Sequence, residues 1–443
     1  MRGAGLVRTN GMVLWQLLSW CVLLRWCKVA APWGRADLNA SASGYSNSGI
    51  AIAIGAVLIL ASSGAPCGPL SSQSLNEGNS AAESQRFEEI SKRADEARDA
   101  GRLEEAEKLY RHALALQPKW AEGWWSLGTL YYDGDRYAEA ELAFEKVVAL
   151  DPKQGTARAM LGLCEFELGQ PEQSLKNIEA SKTLGVLEDQ QLRDVVMYHE
   201  GVLLQRAGRF EGANTALSSL CLGGVRSSDL EGTFGMVALR MRDAAPPGPS
   251  TQAGEIVQHV GRGACLSGAK DYDGAKREFE HVIDLAPHFP LVHYAYGRML
   301  LDANDNEGAI KEFEAEIAAQ PKSVLPRLRI AAAEYKRDPA AGIKFAEEAL
   351  QLQPDLPLGH YLLGLLLLQT GAYERAIPQL EKARAAFPQE PKIDISLATA
   401  YTQVGRTQDA ERARAEFMRK RQAEQTADST PEITDAMEAR SQP

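Results

Sequence analysis

Apolar positions between residues 87 and 424 recur at helical spacing, in short blocks separated by turn residues. Residues 121–150 show the pattern most plainly. Trp124, Leu127, Leu130 and Tyr131 fall on one face of a helix, and Asp133-Gly134-Asp135 interrupts it. Ala140, Phe144, Val147 and Val148 then give a second helical face, which Asp151-Pro152 ends because proline cannot continue a helix. The same block returns at a fixed interval. Pro118 and Pro152 lie 34 residues apart, as do Pro287 and Pro321. Small residues Ala94, Gly128 and Gly162 keep that step, followed later by Gly263, Gly297 and Ala331. Ala106, Ala140, Ala275 and Ala309 keep it too, with Tyr110, Phe144, Phe279 and Phe313 four residues behind them. A period of this length marks stacked supersecondary units, each burying its apolar face on its neighbours.

The small residues have a mechanical role. Gly128 and Ala140 fall where the two helices of a unit cross, so their backbones can approach closely. Trp124, Leu127, Gly128, Tyr131, Ala140, Phe144 and Pro152 occupy the pattern W-x-x-L-G-x-x-Y…A-x-x-x-F…P, and the unit resembles the tetratricopeptide repeat. Nine units are expected: 87–120, 121–154, 155–188, 194–221, 256–289, 290–323, 324–356, 357–390 and 391–424. The seventh is one residue short, with the deletion placed in the turn at 336–339. The resemblance implies an all-α fold, a right-handed superhelical α-solenoid whose first helices line a concave groove for a peptide or partner helix.

Within each first helix the period separates two sets. Trp124, Leu127 and Tyr131 are expected in the core, and Trp125, Thr129 and Tyr132 towards the groove. Later units put Tyr198, Tyr294 and Tyr361 in the slot of Trp125, and Phe166, Leu301, Tyr335 and Leu368 in that of Tyr132. Such a stripe suits an apolar protein surface, with neighbouring repeats or the interrupting segment as the competing cover. Arg298 and Lys336 add two cations able to meet a carboxylate. The chaperone-binding carboxylate clamp of the family is not reproduced, since its slots hold Ser91 and Asp95, Trp125 and Thr129, or Tyr294 and Arg298.

Two segments depart from the repeat. Residues 1–86 form a leader with apolar runs at 12–24 and 50–61, each shorter than the roughly 20 residues of a spanning helix and fitting a signal h-region. Small residues at 61–65 follow the second run, and Pro66 spoils a lipobox at Cys67. Export or tethering is one expectation, and the alanine-rich repeats behind such a leader resemble bacterial extracytoplasmic members of the family. A cytoplasmic regulatory or assembly subunit, translated from a start downstream of Met1, is the other. Residues 222–255 interrupt the array with one amphipathic helix at 229–242, N-capped by Ser228, and a Pro-rich linker at 244–250. They read equally as a degenerate unit or as a hinge between sub-arrays 87–221 and 256–424. A charged closing helix at 406–421 precedes a polar tail at 425–443.

Composition changes little of this. The net charge of −11 supplies no basic footprint for nucleic acid. Six cysteines include no Cys-x-x-Cys; Cys164 and Cys265 share one repeat slot and read as buried core thiols, with no disulfide framework expected. There is no Walker loop and no His-Glu-x-x-His, and Gly261-Arg262-Gly263 lacks the third glycine of a dinucleotide loop. His281, His288 and His293 span a turn containing two prolines, so no metal and no cofactor are expected. The leader leaves little room for a catalytic domain. A non-enzymatic scaffold for protein partners is the leading expectation, and an enzyme with an unrecognised site is the remaining alternative.

Overall fold

The computed structural model describes residues 72–185, 189–243, 245–248 and 250–426, among which lie nineteen helices and no strand. Two compact units result, one ending at Asp151 and the other starting at Pro152. The apolar runs of the leader and most of the polar tail lie outside the described residues. Among the described residues no helix is long and apolar enough to cross a membrane.

The first unit holds α1 (Ser72–Asp99), α2 (Leu103–Leu116), α3 (Ala121–Asp133) and α4 (Tyr137–Leu150). The second opens with α5 (Gly155–Glu167), α6 (Pro171–Thr183), α7 (Gln190–Arg206), α8 (Phe210–Leu222) and α9 (Ser228–Ala238). It continues through α10 (Gln252–Gly268), α11 (Tyr272–Leu285), α12 (Val292–Asp302), α13 (Asn306–Ala319) and α14 (Leu325–Ala333). It ends with α15 (Pro339–Leu352), α16 (Pro357–Gln369), α17 (Tyr373–Ala386), α18 (Pro391–Gln403) and α19 (Thr407–Thr426). Eighteen of these nineteen helices pair as nine consecutive hairpins, and α9 is the added element.

The hairpins close through one recurring contact. A glycine on the first helix faces the side chain 16 residues later: Gly128 on Phe144, Gly162 on Ile178, Gly201 on Leu217, Gly263 on Phe279, Gly297 on Phe313 and Gly364 on Leu380. A Cβ at any of them would lie 2.4–2.9 Å from that side chain, closer than carbon atoms pack. The matching alanines Ala106, Ala140, Ala275 and Ala309 are fully buried. Where Ser174 replaces alanine, its hydroxyl donates to the Gly162 carbonyl at 2.7 Å, so the buried oxygen is satisfied.

The turn inside each hairpin uses a left-handed residue. Gly101, Gly169, Gly208, Gly371 and Gly405 hold this position, and Asp135, Lys270 and Asn304 hold it without the freedom of glycine. The shortened unit omits it: residues 334–338 contain no positive φ, and Asp338 caps α15 by accepting from Ala341 N at 3.1 Å. Glu316 takes on a different task. It is fully buried and accepts from the amides of Leu291 and Tyr294, at 2.9 and 3.2 Å, capping α12 from outside its own helix.

Residues 222–255 lie inside the second unit. Ser227, one residue earlier than expected, caps α9 by accepting from Leu230 N at 3.0 Å. The helix stops at Ala238 rather than 242 because Arg240 adopts a φ of 56°. Helix α9 packs on α10 most extensively, and also on α8 and α7, while α8 touches α10 directly. Leu230, Phe234 and Val237 thereby join Phe210, Leu217 and Leu220 in one core. Cys221 and Cys265 form a disulfide, with Cα atoms 5.3 Å apart. The expectation that Cys265 is a thiol is overturned: repeat position equates it with Cys164, but the packing of α8 against α10 sets it beside Cys221. Cys164 is a buried residue outside that bond.

Candidate partner-binding faces

Each groove candidate is defined by what its helix packs against. In the first unit Trp125 is half-buried, its ring 5.4 Å from Phe144 and edge-on to it. Tyr132 is half-buried and stands edge-on to Tyr137 at 5.5 Å. Thr129 does not reach a groove. It is 8% exposed and donates to the Ser126 carbonyl at 2.9 Å, a back-bond within its own helix.

The second unit covers several more. Tyr294 is fully buried, with its ring 5.9 Å from Phe313 and its hydroxyl accepting from Arg240 at 3.0 Å and Arg329 at 3.2 Å, so it belongs to the core. Arg298 is engaged by Glu211 at 2.7 Å. Tyr198 lies under α9, its hydroxyl 3.3 Å from that of Thr233, and burial pushes its phenol up. Phe166 is held between the His199 ring at 4.6 Å and the Arg206 guanidinium at 5.3 Å. Tyr335 and Tyr361 are half-buried, and burial pushes the Tyr361 phenol up to about 12. Lys336 is exposed. The stripe is therefore broken in its middle, where α9 and the arginine cluster cover it, and open at Trp125, Tyr132, Tyr335, Lys336 and Tyr361.

Among the expected core residues, Leu127 and Tyr131 are buried, whereas Trp124 is half-buried with its indole N–H donating to the Pro118 carbonyl at 2.9 Å. These three line a feature that repeat spacing does not announce. An open cleft of about 500 Å³ in the first unit is walled by Leu114 and Ala115 of α2, by Trp124, Leu127 and Tyr131 of α3, and by Leu142 and Ala143 of α4. Leu142 is 60% exposed at this cleft. Arg111, Glu139 and Lys146 give it a polar rim. The missed signal is Leu142 itself, an aliphatic side chain on the outward face of a second helix. The second unit has a smaller hollow of about 30 Å³ beside Asn214, Ser267, Arg298 and Asp302, room for little more than one water.

A charge cluster lies near that hollow. Glu211 of α8 accepts from Arg240, from Arg298 of α12 at 2.7 Å, and from Arg329 of α14 at 2.9 Å. The Arg240 guanidinium also stands 5.2 Å from the Phe210 ring centre and 5.6 Å from that of Tyr294. One carboxylate thus gathers three helical segments.

Sequence models described as tetratricopeptide repeat match residues 91–155, 127–180 and 266–324, and a second such model matches 367–415. A curated relative, the human protein O-mannosyl-transferase TMTC3, is 27% identical over 108 residues. That match covers 24% of this chain, and the chain spans only 11% of the length of that relative. Solved structures of MamA are 18–21% identical, one of them from Desulfovibrio magneticus. The first covers 37% of this chain and 97% of its own, at a TM-score of 0.36. A tetratricopeptide repeat protein from Parabacteroides merdae is 15% identical and covers 64% of this chain and 99% of its own, at a TM-score of 0.30. With its ordered motif, its recurring hairpins closed by a glycine on a large apolar side chain and these sequence matches, the chain belongs to the tetratricopeptide-repeat family.

Proposed function

We propose that the chain is a non-catalytic scaffold that binds a protein partner through the first-helix face of its repeats. The observation that carries this is the half-open aromatic surface at Trp125 and Tyr132. These are large rings that can bury apolar area on a partner at little cost in side-chain order, as interface hot spots do. The similarity to the human transferase spans 108 residues, about three 34-residue repeats, so the shared part reads as repeats rather than as a catalytic domain. The Cys221–Cys265 disulfide favours an oxidising compartment and thereby export or membrane tethering over a cytoplasmic role.

A second binding face is supported by the outer cleft of the first unit, where exposed Leu142 adjoins buried Leu127 and Tyr131. Partner capture with the full chain separates the two. Trp125→Ala is expected to lower partner recovery with far-UV circular dichroism unchanged, and Leu142→Glu to leave it intact. The reverse result moves the interface to the cleft, and retention by both variants ends both readings.

A further inference from the structure

One slot of the first helix holds histidine in three repeats, and its bonds differ in one of them. His293 and His360 occupy equivalent positions, and each uses both ring nitrogens locally. His293 Nδ1 meets Glu312 at 2.7 Å, and its Nε2 meets the Pro287 carbonyl at 3.1 Å. His360 Nδ1 meets Gln379 at 2.7 Å, and its Nε2 meets the Pro354 carbonyl at 2.9 Å. His259 on α10 has the first of these bonds, Nδ1 to Glu278 on α11 at 2.7 Å. Its further neighbours are the His281 ring, 4.7 Å away between centres, and the Glu255 carboxylate.

We propose that His259, His281 and Glu255 form a binding site for a zinc-class divalent transition metal, with Glu278 as the positioning residue for His259. One ligand atom from each of the three groups lies within 4.8 Å of the others. Tetrahedral zinc, with bonds of about 2.0–2.1 Å, sets its ligand atoms about 3.3 Å apart. The remaining movement is at most about 1.5 Å, within reach of half-exposed and exposed side chains. The backbone spacing suits it: Glu255 and His259 are one turn apart on α10, and Glu278 and His281 are one turn apart on α11. Two imidazoles with one carboxylate select against calcium and magnesium, which take oxygen ligands. Metal-bound histidine ordinarily gives its other N–H to a carboxylate, the place that Glu278 fills. Arg262 in turn holds Glu278 at 3.7 Å and Glu231 of α9 at 3.3 Å. The ion would cross-link the first hairpin after residues 222–255, leaving one coordination position to water.

The test is calorimetric titration of the chelator-treated, tag-free full chain with zinc chloride alone. One equivalent is expected to bind with micromolar or tighter affinity, and cobalt in its place should show the visible bands of tetrahedral coordination. His259→Ala with His281→Ala is expected to abolish this binding. Glu278→Ala should weaken it about 10–100-fold while the stoichiometry stays. His293→Ala and His360→Ala, in the same slot of other repeats, should bind as the parent does. Exposed Glu255→Ala gives a third readout should the double variant lose helicity. No binding tighter than millimolar by the parent, or undiminished binding by the variants at 255, 259 and 281, overturns the proposal.

Discussion

Gly297 shows how far one missing carbon atom decides local structure. A Cβ there would sit 2.6 Å from the Phe313 ring and 3.1 Å from the Ala309 carbonyl oxygen. Gly297→Ala is expected to destabilise the chain by about 1–3 kcal/mol in urea melts, and Gly128→Leu by at least as much. An unchanged midpoint would mean that the hairpin separates freely. The left-handed turn slot predicts the opposite sign. Lys270 has a φ of 68°, where five other repeats place glycine, so Lys270→Gly should stabilise by about 0.5–1 kcal/mol. His199 gives a pH dependence. It is 8% exposed, its Nδ1 is 2.7 Å from the Val195 carbonyl, and burial depresses its pKa below the ordinary 6.5. Because the folded state resists the proton that the unfolded chain accepts, stability falls as pH drops below about 6.5, by at most about 1.4 kcal/mol per pH unit. Replacing His199 by Phe should flatten that part of the stability–pH curve, and an identical slope in both proteins would assign the loss to other groups.

Helix α9 is the element that repeat arithmetic leaves without a role. It packs on α7, α8 and α10, covers Tyr198, and is followed by Arg240, whose side chain is 3% exposed and reaches Glu211. Removing the carboxylate leaves three arginines close together with no counter-charge on α8. Glu211→Gln is therefore expected to cost about 3 kcal/mol, read as a lower urea midpoint. A neutral outcome would mean that water compensates the arginines. At the end of the chain a second buried pair, Lys420 with Asp394, ties α19 to α18. The closing helix thus uses one internal charge for docking while the rest of its face stays polar, as the end of a repeat array requires.

At the scale of the whole molecule the disulfide matters most. It joins residues 44 apart in sequence and closes a loop containing the linker and α9. Loop-closure entropy for that length corresponds to about 4 kcal/mol, so reduction, or Cys221→Ala with Cys265→Ala, should lower the urea midpoint clearly. Equal midpoints with and without reductant would show that α9 and the Glu211 cluster alone hold the segment. The two compact units also predict two sites of mutational sensitivity: Gly128 acts on the first, and Gly297 or Glu211 on the second.

The repeat itself was legible in the sequence, because its determinants are local. Helical period, a turn with glycine or a tolerant polar residue, a terminating proline and a small residue 16 positions before a large one all act within one hairpin, so Gly128, Ala140, Phe144, Gly263, Phe279 and Phe313 could be placed by counting. Their neighbours on the first helix could not be sorted in that way. Period tells which way a side chain points but not what lies there, which is why Tyr294 and Thr129 are enclosed while Trp125 and Tyr132 keep open surface. The disulfide, the Glu211 cluster, the cleft at Leu142 and the meeting of His259 with His281 each join residues brought together by packing between helices. Sequence spacing fixes a helix and its hairpin, where contacts are short-range; the surroundings of each face depend on which element covers it, and that is decided only when the chain is folded.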